Sequence, residues 1–569
     1  MNAIFAYTGD RPCRELLWQG LLRCSEGDLA GVTVQTEKGL AAAKAACSQQ
    51  ELAQRCRHLQ EDGTAGLAAA CTALQAQPMD ITAPPYAEKE TALALDGTLQ
   101  DDSRLLTAVS SGDNRSPEAL WLRHLMSLGA DGCLQALRRA AGGEQVSTVL
   151  LSAKDNCLYC RSGVNPLYIG VAEHGFFVTN ELSALPEDAV RFYLLRDGEG
   201  AKLTAEHATL LDARLRKIKK PLLSTETALL SAAGAPPSPF ACPLAVKACI
   251  AQYISGGTLN CEALPSSKKM LLRCHKAILA GSGEAYAAAC LAAHRFPQLT
   301  DMDAVAHETG ALLLDNPLMD RNTLVIVLSG GGKEDGMTAV LQRAARLGAP
   351  TVAVTESRYS PIALLADEVL TIPAGSGVIG AYLALTFFML YIGSKSEILS
   401  DVYLSVTVQL AEMLAGKVSA AIKAVPPVQR LSGRLIHADT VITAGIGADA
   451  AVAEEAAATL RRTLRVPAFR QSLYSLVSES RSPLGGLLVL SFLTDPAAAP
   501  ETLRLLRRLH LHGAEVLLVT TESIESDLTD ELPVIAYPDS LPLFNPVICL
   551  SGLQKVCASA QELLQAKAV

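Results

Sequence analysis

The sequence predicts a multi-domain α/β protein, with a strand-rich N-terminal domain followed by two tandem parallel-sheet domains. Three observations predict it. The stretch from Thr323 to Thr355 runs as apolar strand, glycine-rich turn, helix and strand. Its continuous apolar start suits a buried parallel strand. Met337, Val340, Leu341, Ala344 and Ala345 then fall at helical spacing, and Gly348 ends the helix. Second, a strand followed by Gly-x-Gly occurs at Ala277–Gly283 and again at Thr440–Gly447, which predicts two copies of one fold. Third, Ser147–Ser152, Leu158–Ser162, Leu167–Val171 and Gly175–Thr179 are short strand-like runs separated by turn residues, as in an antiparallel meander.

Size and composition bound the rest. A chain of 569 residues holds three or four domains. Hydrophobic content of 49% against 19% charged is that of a core-forming protein. A net charge of −9 argues against a nucleic-acid or anionic-membrane partner. The longest apolar run, Val378–Ile392, is shorter than the roughly 18–20 residues of a membrane span, so it predicts a buried helix. The start, Met1 to Tyr7, lacks the basic region of a signal peptide. The fifteen cysteines follow no repeating spacing, which suits a reduced, cytoplasmic setting. Cys157 and Cys160 have redox or zinc spacing, but no second pair or nearby histidine completes a site. Their surroundings alternate like a strand, which sends the two thiols to opposite faces. No metal and no cofactor is predicted.

In chain order, residues 1–225 form the strand-rich domain. Helical patterns lie at Arg14–Leu22, Lys44–Leu59 and Pro117–Leu128. Gly66 to Pro78, Asp96-Gly97, Arg161 to Leu167, Asn180 to Leu185 and Asp197-Gly198-Glu199 follow one another with the spacing of a glutaminase domain. On these segments the domain resembles that of the glucosamine-6-phosphate synthase (isomerising glutamine–fructose-6-phosphate aminotransferase) family. The resemblance implies an Ntn-type α+β sandwich.

The same resemblance implies that the glutaminase chemistry is gone. The family uses an N-terminal cysteine exposed by loss of the initiator methionine; this chain has Asn2, whose bulk favours retention of Met1. An amide is neither nucleophile nor base. The glutamine-carboxylate arginine is Cys71 here, and the oxyanion-hole asparagine is Asp96, which repels a developing oxyanion. The aspartate that grips the substrate amine falls at or near Ser116.

Residues 226–265 read as a proline-rich linker around Pro236–Pro239 and a lead-in helix. Residues 266–423 and 427–569 resemble two sugar isomerase (SIS) modules, each a flavodoxin-like parallel sheet. Glycines at a strand-to-helix turn let backbone N–H groups approach an anion. The family places sugar phosphate at three such turns, which implies Ser282, Gly283, Glu284, Ser329, Gly331, Gly332 and Lys333 as sugar-binding candidates. Yet Glu284 and Ala285 stand for the family's threonine and serine, Gly331 and Glu334 for another such pair, and Ile379 to Tyr382 for Ala-Ser-Thr-Lys. Two glutamates in one desolvated pocket oppose a dianionic phosphate by several kcal/mol. They either hold a cation or amine, or sit in solvent.

In the second module Glu455 matches the family's Leu-Glu-Gly glutamate, while Thr459 and Arg462 replace its Lys-x-x-Glu. An arginine is no general base near neutral pH. Arg481 to Leu484 stands where a ring-opening histidine precedes Gly-Pro-Leu, and Lys567 stands near the family's Schiff-base lysine or is a solvated lysine at a helix end.

Two functions follow. One is a catalytically silent relative that binds a sugar or sugar-phosphate derivative. The other is an active SIS-type isomerase, deaminase or deglycase on an amino-sugar or sugar–amine substrate, with Glu284, Lys333, Glu334 or Lys567 as catalytic groups. Convergence of Glu284, Lys333 and Glu334 in one enclosed place with perturbed pKa values favours the enzyme. The resemblance also implies a homodimer through the SIS modules.

Overall fold

The computed structural model describes residues 2–24, 29–46, 49–57, 59, 63–71, 83–88, 90–97, 146–224, 242–265, 273–334, 336–479, 487–525 and 532–568. Ser116, the 226–241 linker, the Pro117–Leu128 pattern and Arg481 to Leu484 lie outside them. Chain contacts separate two compact units, Met1–Pro236 and Pro237–Val569.

The first unit is built on strands β1 (Asn2–Gly9), β2 (Leu29–Thr36), β3 (Gly39–Ala45), β4 (Ala65–Cys71), β5 (Tyr86–Glu88), β6 (Thr91–Asp96) and β7 (Ser147–Ser152). They continue with β8 (Cys157–Arg161), β9 (Leu167–Ala172), β10 (Gly175–Thr179), β11 (Arg191–Leu195), β12 (Gly200–Leu203), β13 (Ala208–Leu211) and β14 (Leu223–Ser224). An eight-stranded sheet has the order β14-β11-β9-β10-β1-β4-β2-β3, and a six-stranded sheet the order β13-β12-β8-β7-β6-β5. Alternation decides which side chains meet between them. Ile4, Ala6, Leu67 and Ala69 of one sheet pack with Ala92, Ala94, Val149 and Leu151 of the other. On the opposite face of β1, Phe5 and Tyr7 pack with Phe177, ring centroids 5.8 and 4.9 Å apart. The helix Arg14–Arg23 covers them, and a Cβ on Gly20 would stand 2.2 Å from the Phe5 ring.

The helix expected over Lys44–Leu59 is shorter. Lys44 and Ala45 pair with Gly31 and Ala30 as the end of β3, and the helix spans Gln49–Arg57. Cys157 and Cys160 both lie in β8, and burial pushes both thiols up. The described cysteines are free thiols.

In the second unit the helix Cys242–Tyr253 precedes a hairpin of β15 (Ile254–Ser255) and β16 (Thr258–Leu259). Two five-stranded parallel sheets follow. The first contains β17 (Lys276–Gly281), β18 (Asp303–Glu308), β19 (Thr323–Leu328), β20 (Thr351–Thr355) and β21 (Glu368–Thr371), in the order β18-β17-β19-β20-β21. The second contains β22 (Val441–Ala444), β23 (Ala468–Arg470), β24 (Leu488–Phe492), β25 (Glu515–Thr521) and β26 (Val534–Tyr537), in the order β23-β22-β24-β25-β26. Both have the doubly wound order whose switch point lies between first and third strands.

The repeat extends to backbone detail. Gly283 has φ 55°, ψ −123° and Gly447 has φ 62°, ψ −126°, each just before a helix. Positive φ there requires glycine. A Cβ on Gly281 or Gly445 would meet the next helical turn at 2.6 or 2.3 Å.

One hydrophobic core serves both modules: Ala288, Phe296 and Phe387 of the first belong with Val452, Ala456, Leu490 and Val547 of the second. The helix Gly377–Lys395 runs through it. It is the one described helix long and apolar enough to cross a membrane, and 89% of that stretch is buried inside the molecule. Arg295 is buried and crosses between the modules. Its Nη1 donates to Gln298 Oε1 at 2.9 Å and Asp495 Oδ2 at 3.0 Å, and its Nη2 to the Pro542 carbonyl at 2.9 Å. Removing one partner of a buried pair leaves an uncompensated charge. Arg295→Ala is therefore expected to lower stability by roughly 3–5 kcal/mol, read as a fall in the urea midpoint. An unchanged midpoint would show that this bridge does not hold the modules.

Candidate functional site

Two places match the sequence expectations, one in each unit. In the first, Asn2 opens β1 and stands directly opposite Cys71 of β4. Asn2 Nδ2 donates to the Leu95 carbonyl at 2.9 Å, so the side chain reaches the facing sheet. Asp96 is 2% exposed, and its Oδ2 accepts from Asn180 Nδ2 at 2.7 Å and Asn165 Nδ2 at 3.1 Å. Asn180 also donates to the Asn2 carbonyl at 2.7 Å and accepts from the Ile4 amide at 3.0 Å. Every hydrogen-bonding atom of the Asn180 amide is thus used inside the protein.

The second place is the switch point of the first module. Its three strand-to-helix turns follow β17, β19 and β21. Glu284 opens the helix Glu284–Leu299, where the helix N-terminus favours a negative charge. Its Oε1 lies 2.6 Å from Arg462 Nη1. Its Oε2 faces the third turn, where a Cβ on Gly377 would come within 2.5 Å of it. Glycine at that position, with φ 50°, is what lets the carboxylate in. Arg462 comes from the second module, on the helix Ala448–Leu464, and its Nη2 also donates to Glu455 Oε1 at 2.8 Å. Thr459 Oγ1 donates to the same oxygen at 3.0 Å. Glu455, Thr459 and Arg462 are spaced along one helix face, which brings them together.

Glu455 is 1% exposed, and its Oε2 has no hydrogen-bond partner among the described residues. Burial, with a smaller contribution from Glu284 and against the pull of Arg462, pushes its carboxyl up to about 7. Glu334 is in the second turn. Its Oε1 accepts from Ser329 Oγ at 3.1 Å, while its buried Oε2 has no such partner. Burial, and less so Glu284, pushes it up to about 7 as well. Glu356 follows β20 and accepts from the Gly375 amide at 2.8 Å; burial and Glu284 push it up too. Glu284 is therefore the hub of four carboxylates.

The hydroxyls at these turns point elsewhere. Ser282 Oγ donates to Thr309 Oγ1 at 3.2 Å. Ser329 Oγ serves Glu334 and accepts from the Gly332 amide at 2.9 Å. Ser376, beside Gly377, turns along its helix toward Gly380. Ile379 to Tyr382 lie inside the helix Gly377–Lys395 and not at its turn. Gly283 and Gly331 are exposed, Gly332 is buried, and Lys333 is half-buried. Lys567 is in the final helix Asn545–Ala568, with its side chain outside the described residues. The sequence reading missed Glu356, Ser376 and the role of Arg462. Glu356 was signalled by its position directly after a parallel strand. Among the described residues, no group of three His, Cys, Asp or Glu side chains is placed to hold a metal ion.

The SIS domain family model matches residues 270–392, the stretch that carries these three turns. Beyond that domain, the chain is homologous over nearly its whole length to isomerizing glutamine–fructose-6-phosphate aminotransferases. The Clostridium tetani protein is 20% identical over 585 residues, covering 97% of this chain and 96% of that one. The Thermus thermophilus protein is 24% identical over 599 residues, covering 99% and 97%. Among solved structures, the C-terminal domain of glucosamine-fructose-6-phosphate aminotransferase from Francisella tularensis superposes with a TM-score of 0.53 at 16% identity. It covers 57% of this chain and 94% of its own. That likeness shows the fold of the second unit.

The carboxyls of Glu334 and Glu455 bind protons more tightly folded than unfolded. Their contribution to stability is full below about pH 4 and is lost as pH rises through about 7. Glu455→Gln is expected to flatten the fall in Tm between about pH 5 and about pH 8, an effect on the order of 1–3 kcal/mol. A slope equal to wild type would place the Glu455 titration elsewhere.

Proposed function

We propose that this chain binds a sugar derivative at the switch point of its first SIS module and does not hydrolyse glutamine. The observation that carries the second half is the Asn2–Asp96–Asn165–Asn180 network. Glutamine hydrolysis needs a nucleophile and donors aimed at a developing oxyanion. Here the donors are spent on a buried carboxylate. The first half is supported by the SIS match and by the aminotransferase relatives. In this reading the protein is a silent relative of those enzymes, working in a reducing, cytoplasmic setting.

A second reading has its own support. Glu334 is half-buried, and desolvation pushes its carboxyl up to about 7, as suits a general acid–base group. It favours an active SIS-type isomerase, deaminase or deglycase on an amino-sugar or sugar–amine substrate. A homodimer through the SIS modules is supported by an exposed apolar stripe on the helix Asp401–Glu412 and beyond it. Val402, Val406 and Met413 are 75%, 46% and 58% exposed on that side.

Purified full-length protein is expected to release no ammonia from glutamine, with or without fructose 6-phosphate, in a coupled glutamate dehydrogenase assay. Sustained turnover abolished by Cys71→Ala would overturn the silent reading, because Cys71 is the thiol nearest Asn2 in register.

A further inference from the structure

We infer that the ligand group recognised at the switch point of the first module is an ammonium, as on an amino sugar, and not a phosphate. This rests on the sugar-binding reading and names the class of sugar. The turns of a doubly wound sheet attract anions because their backbone N–H groups and helix N-termini are positive. In this chain that potential is already used. The Glu284 carboxylate opens the first helix, and its Oε2 reaches the start of the third. Ser282 and Ser329 are committed to Thr309 and Glu334, and Ser376 faces Gly380. An incoming phosphate would meet the carboxylates of Glu284, Glu334 and Glu356, with the Ser282 and Ser329 hydroxyls already bonded within the protein.

At the site four carboxylates, Glu284, Glu334, Glu356 and Glu455, outnumber the cations Lys333 of its turns and Arg462 of the helix Ala448–Leu464. Glu455 is almost wholly buried, yet one of its oxygens has no donor among the described residues. Glu334 Oε2 is in the same state. A buried carboxylate oxygen without a partner is costly, and a compact N–H donor cation removes that cost. Arg462 shows the preference already. Its guanidinium bridges the Oε1 atoms of Glu284 and Glu455 on a side chain that is 46% exposed. It takes up the Oε1 atoms, while the Oε2 atoms of Glu455 and Glu334 have no hydrogen-bond partner among the described residues. An ammonium, with three donors on one small charge, suits carboxylates brought by the first module's turns and by the helix Ala448–Leu464.

The test is calorimetric titration of the full chain with D-glucosamine, N-acetyl-D-glucosamine and D-fructose 6-phosphate. N-acetylation removes the charge and keeps the ring. Glucosamine is expected to bind at least tenfold more tightly than either other sugar. Glu455→Gln and Glu334→Gln are each expected to cut that preference to about threefold or less. Circular dichroism checks the fold of both variants, and either one carries the test alone. Equal affinity for glucosamine and its N-acetyl form, or tighter fructose 6-phosphate binding, would overturn the ammonium inference and leave the sugar-binding reading standing. A preference retained in both folded variants would also overturn it. Binding of none of the three sugars would overturn both.

Discussion

The Arg462 guanidinium is the contact on which the candidate site depends. It joins a carboxylate from the first module, Glu284, to one from the second, Glu455. Two like charges about 4 Å apart cost about 4 kcal/mol at an effective dielectric constant of 20. A single planar cation with several donors turns that repulsion into two charge-assisted bonds. The bond to Glu284 ties the helix Ala448–Leu464 to the first module's turns. With Arg295 below and the shared apolar core around them, the two modules behave as one packed body. The site is therefore made by both copies of the repeat, although its turns belong to one.

The same physical logic governs the first unit by the opposite route. There the polar groups satisfy one another. Asp96 is buried and takes donors from Asn165 and Asn180, and Asn180 ties back to β1 at Asn2 and Ile4. Paired polar networks in low dielectric rigidify, and unpaired ones remain available for a ligand. The contrast between a closed network and orphaned carboxylate oxygens separates the structural place from the proposed binding place.

Much of the fold was legible in the sequence. Period-two runs and parallel-strand patterns placed β7, β9, β10 and β19 because those signals are local. Lys44 and Ala45 were misread because Ala41 to Lys44 favours helix locally, while pairing with β2 fixes a strand. At the site, the glycine turns and the entry of Glu284 and Glu334 could be read directly. The pairing of Glu284 with Arg462 could not, since it joins residues far apart in the chain through packing of two modules. Arg462 read as the loss of a base; in three dimensions it is the partner of an acquired acid. The expectation that Glu284 and Glu334 sit in solvent gives way only for one of them: the Glu284 side chain is 37% exposed, whereas Glu334 is half-buried and desolvation pushes its carboxyl up. Burial is a tertiary property that no local pattern reports.

This chain is homologous to the aminotransferases, and the turns of its first module carry carboxylates. Those carboxylates have a direct thermodynamic signature. Carboxyls that are protonated near neutral pH ionise when a cation binds them, and they release protons. The decisive measurement is the number of protons exchanged on sugar binding, from calorimetry in buffers of different ionisation enthalpy near about pH 6, below the usual range of amines. The account predicts net proton release with an amino sugar. Net proton uptake on binding would mean that the site gathers negative charge, and would contradict it.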